Sequence, residues 1–91
     1  MTPDRVRQVI EVYQQQLVSQ GLTPLRHEAN GVLPTQTVAL RHVLWMLGEI
    51  RAMLDSEGSE GKVDRWLGFV QGVLWLTGRK TIDQMRDDNR S

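Results

Sequence analysis

Two histidines, His27 and His42, are the side chains best suited to move protons near neutral pH. His42 and Glu49 lie seven residues apart, so a helix would bring them roughly onto one face, where an imidazole and a carboxylate could do acid–base work. The expected reading is nevertheless a solvated or structural pair. His27-Glu28 are adjacent, and nothing nearby repeats His or Cys at ligand spacing, so no metal site is expected. The sequence has no Cys, which excludes a thiol nucleophile, a disulfide framework and a thiolate metal site. Ser19, Ser56, Ser59 and Ser91 fall near expected helix ends, in a linker or at the terminus, without a local His to activate them. Gly58 to Lys62 lacks the spacing of a phosphate-binding loop. No catalytic residue, cofactor or small-molecule substrate is therefore expected, and the chain is not expected to be an enzyme.

The elements that hold these residues read as helices. Thr2 suits an N-cap, Pro3 the first helical position and Asp4 the positive end of the helix dipole. Val6, Val9, Ile10, Tyr13 and Leu17 then recur at spacings of three and four, while Arg7, Gln8, Glu11, Gln14 and Gln15 form a face for water. The first helix spans about residues 3–20 and stops at Gly21. Residues 22–34 read as a loop punctuated by Pro24, Asn30-Gly31 and Pro34, with Leu22, Leu25, Val32 and Leu33 available to pin it to the core. His27-Glu28 reads there as a solvated pair.

The second helix spans about 35–55, capped by Thr35, with Ala39, Val43, Met46, Leu47, Ile50, Met53 and Leu54 as its main stripe. The polar, Gly-rich stretch from Asp55 to Gly61 turns the chain back into a third helix over about 60–77, ended by Gly78. Its main stripe is Val63, Trp66, Leu67, Val70, Val73 and Leu74. Thr81 with Gln84 resembles a capping box opening a short helix over about 81–88. The expected fold is all-α: one domain over residues 1–91, an antiparallel helical hairpin packed by the N-terminal helix and closed by a short C-terminal one.

The second and third helices carry more than one apolar side. Measured from Glu60, Ala52 mirrors Gly68, Gly48 mirrors Gly72, Trp45 mirrors Trp75 and Asp55 mirrors Arg65. That symmetry predicts a close hairpin contact in which small residues let the backbones approach. Trp45, Gly48, Trp66, Gly68, Gly72 and Trp75 are accordingly the candidate structural and interaction seam. The apolar surface is generous for 91 residues, which makes a protein partner, including a second copy in a homodimer, the expected use of any uncovered face.

Charge gives a second candidate. Eleven Lys plus Arg balance eleven Asp plus Glu, so no global field draws the chain to nucleic acid or an anionic membrane. Residues 62–91 nevertheless carry six basic and four acidic side chains, against five and seven in residues 1–61. Arg79, Lys80, Arg86 and Arg90 are the candidate nucleic-acid contacts, on a pair of helices loosely like a helix-turn-helix. Asp83, Asp87 and Asp88 would repel phosphate there. The competing expectation is a clasp, with Ile82 and Met85 folding back over the bundle. No apolar run approaches the roughly 18 residues that span a bilayer, and no signal peptide is expected from Met1 to Arg5, so a cytoplasmic location in a bacterial cell is expected.

Two blocks carry a resemblance. Trp66-Leu-Gly-Phe-Val-Gln-Gly-Val-Leu-Trp75, with Lys62 and Arg65 before it and Thr81-Ile-Asp-Gln-Met-Arg-Asp-Asp-Asn-Arg90 after it, resembles a family of small helical proteins encoded by tailed phages and prophages. His42-Val-Leu-Trp-Met46 adds a second block. The core motif is also distantly similar to the small helical companion encoded beside the UvsW helicase of T-even-like phages. The resemblance implies a phage-encoded, non-catalytic accessory protein with a link to DNA replication or recombination; it transfers no active site.

Overall fold

The computed structural model of the chain describes residues 1–32 and 35–90. The expected roles of Leu33 and Pro34 in the loop, and Ser91, lie outside the described residues. Four helices follow in order: α1 Pro3–Ser19, α2 Gln36–Met53, α3 Glu60–Leu76 and α4 Ile82–Asp88. Each starts and stops within one or two residues of its expected bounds, because the local signals act as read. The Thr2 and Thr35 hydroxyls accept from the backbone N–H groups of Arg5 and Val38. Thr81 and Gln84 form a reciprocal capping box. Gly21 and Gly78 take positive φ, 82° and 75°, and the chain behind each bonds back into its helix: Leu22 N–H to Leu17 O, Arg79 N–H to Leu74 O.

The helices run up, down and up. Arg7 near the start of α1 pairs with Asp55 just beyond α2, and Arg51 donates to Gln14, so α1 and α2 are antiparallel. α3 returns alongside α1. The core lies between these three helices, built from Val6, Ile10, Tyr13 and Leu17 of α1, Leu40, Val43, Leu47 and Ile50 of α2, and Val63, Leu67, Val70 and Leu74 of α3. The main stripes of α2 and α3 face each other, each side chain in them being buried or half-buried. Burying a Val, Leu or Ile side chain contributes about 1.5–3 kcal/mol, so this alignment fixes the hairpin.

That alignment overturns the expected glycine contact. Gly48, Gly68 and Gly72 are exposed, and a Cβ on any of them would meet nothing within 4 Å. Trp45 stands against Trp66, not Trp75, with ring centroids 5.9 Å apart, while Trp75 is 52% exposed. The hairpin's midpoint therefore falls near Ser56, not Glu60. The physical reason is the turn: the Ser59 hydroxyl donates to Met53 O at 2.6 Å and to Ser56 O at 2.8 Å, closing α2 early. Asp55 consequently pairs with Arg7, not with Arg65.

α4 crosses back over α1 and α3 but buries no residue of its own. The expected clasp exists with a different grip. Ile82 is 48% exposed and Met85 half-buried. Polar groups hold the helix instead.

Candidate functional site

Three surface regions bring together the residues with chemical or binding potential. The first is the outer face of α3. Helical spacing places Gly61, Arg65, Gly68 and Gly72 on the side away from the core. Phe69, Trp75 and Leu76 border that strip at 57%, 52% and 79% exposure. The result is an exposed strip in which open space at the glycines adjoins large apolar side chains. Of the expected seam residues, Gly68, Gly72 and Trp75 meet here; Gly48 lies apart, in an open groove with Val18 and Pro24 between α1 and α2.

The second region joins the loop to α2 and α3. Arg26 lies over the Trp45 ring at 5.1 Å, Trp45 packs on Trp66, and Lys62 lies over Trp66 at 5.1 Å. Each cation is drawn to the negative face of an indole. The loop is tied down by polar contacts together with one of the expected apolar pins, Leu22, which packs against the core. Leu22 is half-buried, but Leu25 and Val32 are exposed. Leu25 N–H donates to Arg41 O at 3.2 Å, and Arg41 donates to Thr23 O and Oγ1 at 3.0 and 3.1 Å.

His27 is not the solvated residue expected. It is half-buried, and its backbone N–H donates to His42 Nδ1 at 2.9 Å. His42 and His27, with Ala39, Phe69 and Val73, line a cleft of about 270 Å³. Glu49 stands outside this cleft, in the groove that holds Trp45 and Gly48. Burial, His27 and the Arg26 charge together hold the His42 imidazole below its usual pKa of 6.5. Among the described residues no three His, Cys, Asp or Glu side chains converge as metal ligands.

The third region is the α4 joint. The Tyr13 hydroxyl donates to Asp88 Oδ2 at 2.6 Å and accepts from Gln71 Nε2 at 3.2 Å. Gln71 and Asn89 exchange hydrogen bonds, 2.6 Å from Gln71 Nε2 to Asn89 Oδ1 and 3.2 Å in return. Arg5 donates to the carbonyls of Asp87, Asp88 and Arg90, placing its charge at the negative end of α4. Burial first, then the Asp88 hydrogen bond, raises the Tyr13 pKa well above 10.0. The sequence conceals this network: Tyr13 reads as one more apolar position, and Asp88-Asn89 as a polar tail.

The basic residues proposed for nucleic-acid contact are each engaged within the chain. Arg79 donates to Thr77 O and Gln20 Oε1. Lys80 lies over the Tyr13 ring at 5.4 Å. Arg86 pairs with Asp83 at 3.6 Å and Arg90 with Asp87 at 3.1 Å. Among the described residues no helix is long and apolar enough to cross a membrane.

Compared with known protein families, curated proteins and solved structures, the chain matches none.

Proposed function

We propose that this chain is a non-catalytic protein-interaction module that docks a helix, from another protein or from a second copy of itself, on the outer face of α3. The observation that carries this reading is the pair Gly68 and Gly72 in open space beside exposed Phe69, Trp75 and Leu76. A glycine inside a helix costs about 1 kcal/mol relative to alanine. Nothing within 4 Å of either glycine uses the missing side chain. A helix backbone approaching from outside would use it, and the flanking side chains would then be buried. The resemblance to small phage-encoded proteins supports placing that partner in phage DNA replication or recombination, in the bacterial cytoplasm. The alternative is a nucleic-acid module using Arg79, Lys80, Arg86 and Arg90. The internal engagement of all four favours the first reading.

The two readings separate by site-specific photo-cross-linking. A photoreactive residue at Leu76 is expected to give discrete protein adducts in the host, and one at Glu11 on the far polar face none. Gly72→Leu should abolish the adducts while the chain stays folded by circular dichroism. Equal labelling from both positions, or adducts to nucleic acid alone, would defeat the proposal.

A further inference from the structure

We infer that protonation of His42 releases the segment from Thr23 to Val32 from α2, making this stretch an acid-opened strap. The central grip is the hydrogen bond from the His27 backbone N–H to His42 Nδ1 at 2.9 Å. It requires Nδ1 to be unprotonated, so the neutral ring carries its proton on Nε2. A proton arriving at Nδ1 turns acceptor into donor, and two N–H groups then face each other. The added charge lies near others of the same sign. The Trp45 ring, 5.4 Å from the His42 ring, already carries the Arg26 guanidinium. From the strap, Arg26, His27 and Glu28 lie around the imidazole; Glu28, lining the same cleft, is the opposing charge among them. From α2 the neighbours are Arg41 and Trp45. α3 contributes Phe69 and Val73, which carry no charge. The remaining grips, Leu25 on Arg41, Arg41 on Thr23 and Arg26 on Trp45, are exposed or half-buried and individually weak.

The sign follows from the geometry. The attached state disfavours the proton, so His42 titrates below 6.5 while the strap is on. Attachment is complete above that ordinary value and is lost as pH falls through the lowered one. Opening lifts Arg26 from Trp45 and uncovers the cleft floored by Ala39 and Phe69, so the strap gates an aromatic surface that adjoins the glycine strip of α3 at Phe69.

Solution NMR on the full 15N-labelled chain tests this from about pH 7.5 to about pH 4.5. The His27 amide should lose protection against solvent exchange, corrected for intrinsic rate, by up to about tenfold per pH unit from the ordinary value of 6.5 down to the midpoint of the His42 ring titration, and the loss should level off below that midpoint. The His42→Asn variant retains an oxygen acceptor that cannot be protonated in this range, and its His27 amide should stay protected throughout. Unchanged protection in the wild type while the His42 ring titrates would overturn the inference, and that comparison needs no variant. Loss of protection over the same range in folded His42→Asn would overturn it equally.

Discussion

At the scale of single residues, Gly72 separates two uses of a missing side chain. Were it there for contact between α2 and α3, any Cβ would clash. The space is open, so Gly72→Ala should stabilise the helix by about 0.5–1 kcal/mol. For a domain of this size that is a rise in melting temperature of about 2–8 °C, measurable by circular dichroism. A fall would restore the buried seam. Tyr13 supports a second expectation. Its folded pKa lies above the ordinary 10.0, so the stability it contributes is complete below pH 10.0 and is lost as pH rises through the raised value. Absorbance of the chain's one tyrosine near 295 nm should therefore show no ionisation step at its ordinary pKa, and phenolate should appear only together with alkaline unfolding. Tyr13 was legible in the sequence as a core position and illegible as a donor. Its periodicity reports which way it points, whereas its hydroxyl partners stand 58 and 75 residues away. His27 and His42 were hidden in the same way, each ordinary in its own neighbourhood.

At the scale of elements, local signals and pairing signals behaved differently. The caps at Thr2, Thr35 and Thr81 and the stops at Gly21 and Gly78 depend on a few adjacent residues, so the sequence displays them. Hairpin register depends on where α2 yields to the turn and on which stripes gain most by burial. The symmetry about Glu60 addressed neither, whereas the core stripes did. α4 is the element least secured by apolar burial. Its hold rests on Arg5 at its C-terminal carbonyls and on the Tyr13–Asp88 and Gln71–Asn89 contacts. Arg5→Ala should cost about 1–3 kcal/mol, the worth of hydrogen bonds from a charged donor. The loss should be local: amides of α4 should exchange faster while those in the centres of α2 and α3 keep their protection, as hydrogen exchange read by mass spectrometry would show. A uniform loss across all four helices would instead make α4 integral to the cooperative unit.

For the whole molecule, balanced charge and internal pairing bear on the same question from two directions. Equal numbers of acidic and basic residues give no long-range attraction to a polyanion. Close up, a phosphate approaching α4 would meet Arg86 and Arg90 already paired with Asp83 and Asp87, and would have to compete with those carboxylates. It would also have to lift Lys80 from Tyr13 and Arg79 from the end of α3. DNA or RNA of mixed sequence should therefore not shift in a gel at near-physiological salt with micromolar protein. Any binding seen at low salt should collapse steeply as salt rises, since released counterions alone would drive it. The double change Arg79→Ala/Lys80→Ala should then lower the melting temperature, because both side chains bind their own chain. Salt-resistant binding lost in that variant, with stability unchanged, would instead assign these cations to a nucleic-acid surface and leave the glycine strip on α3 without a role.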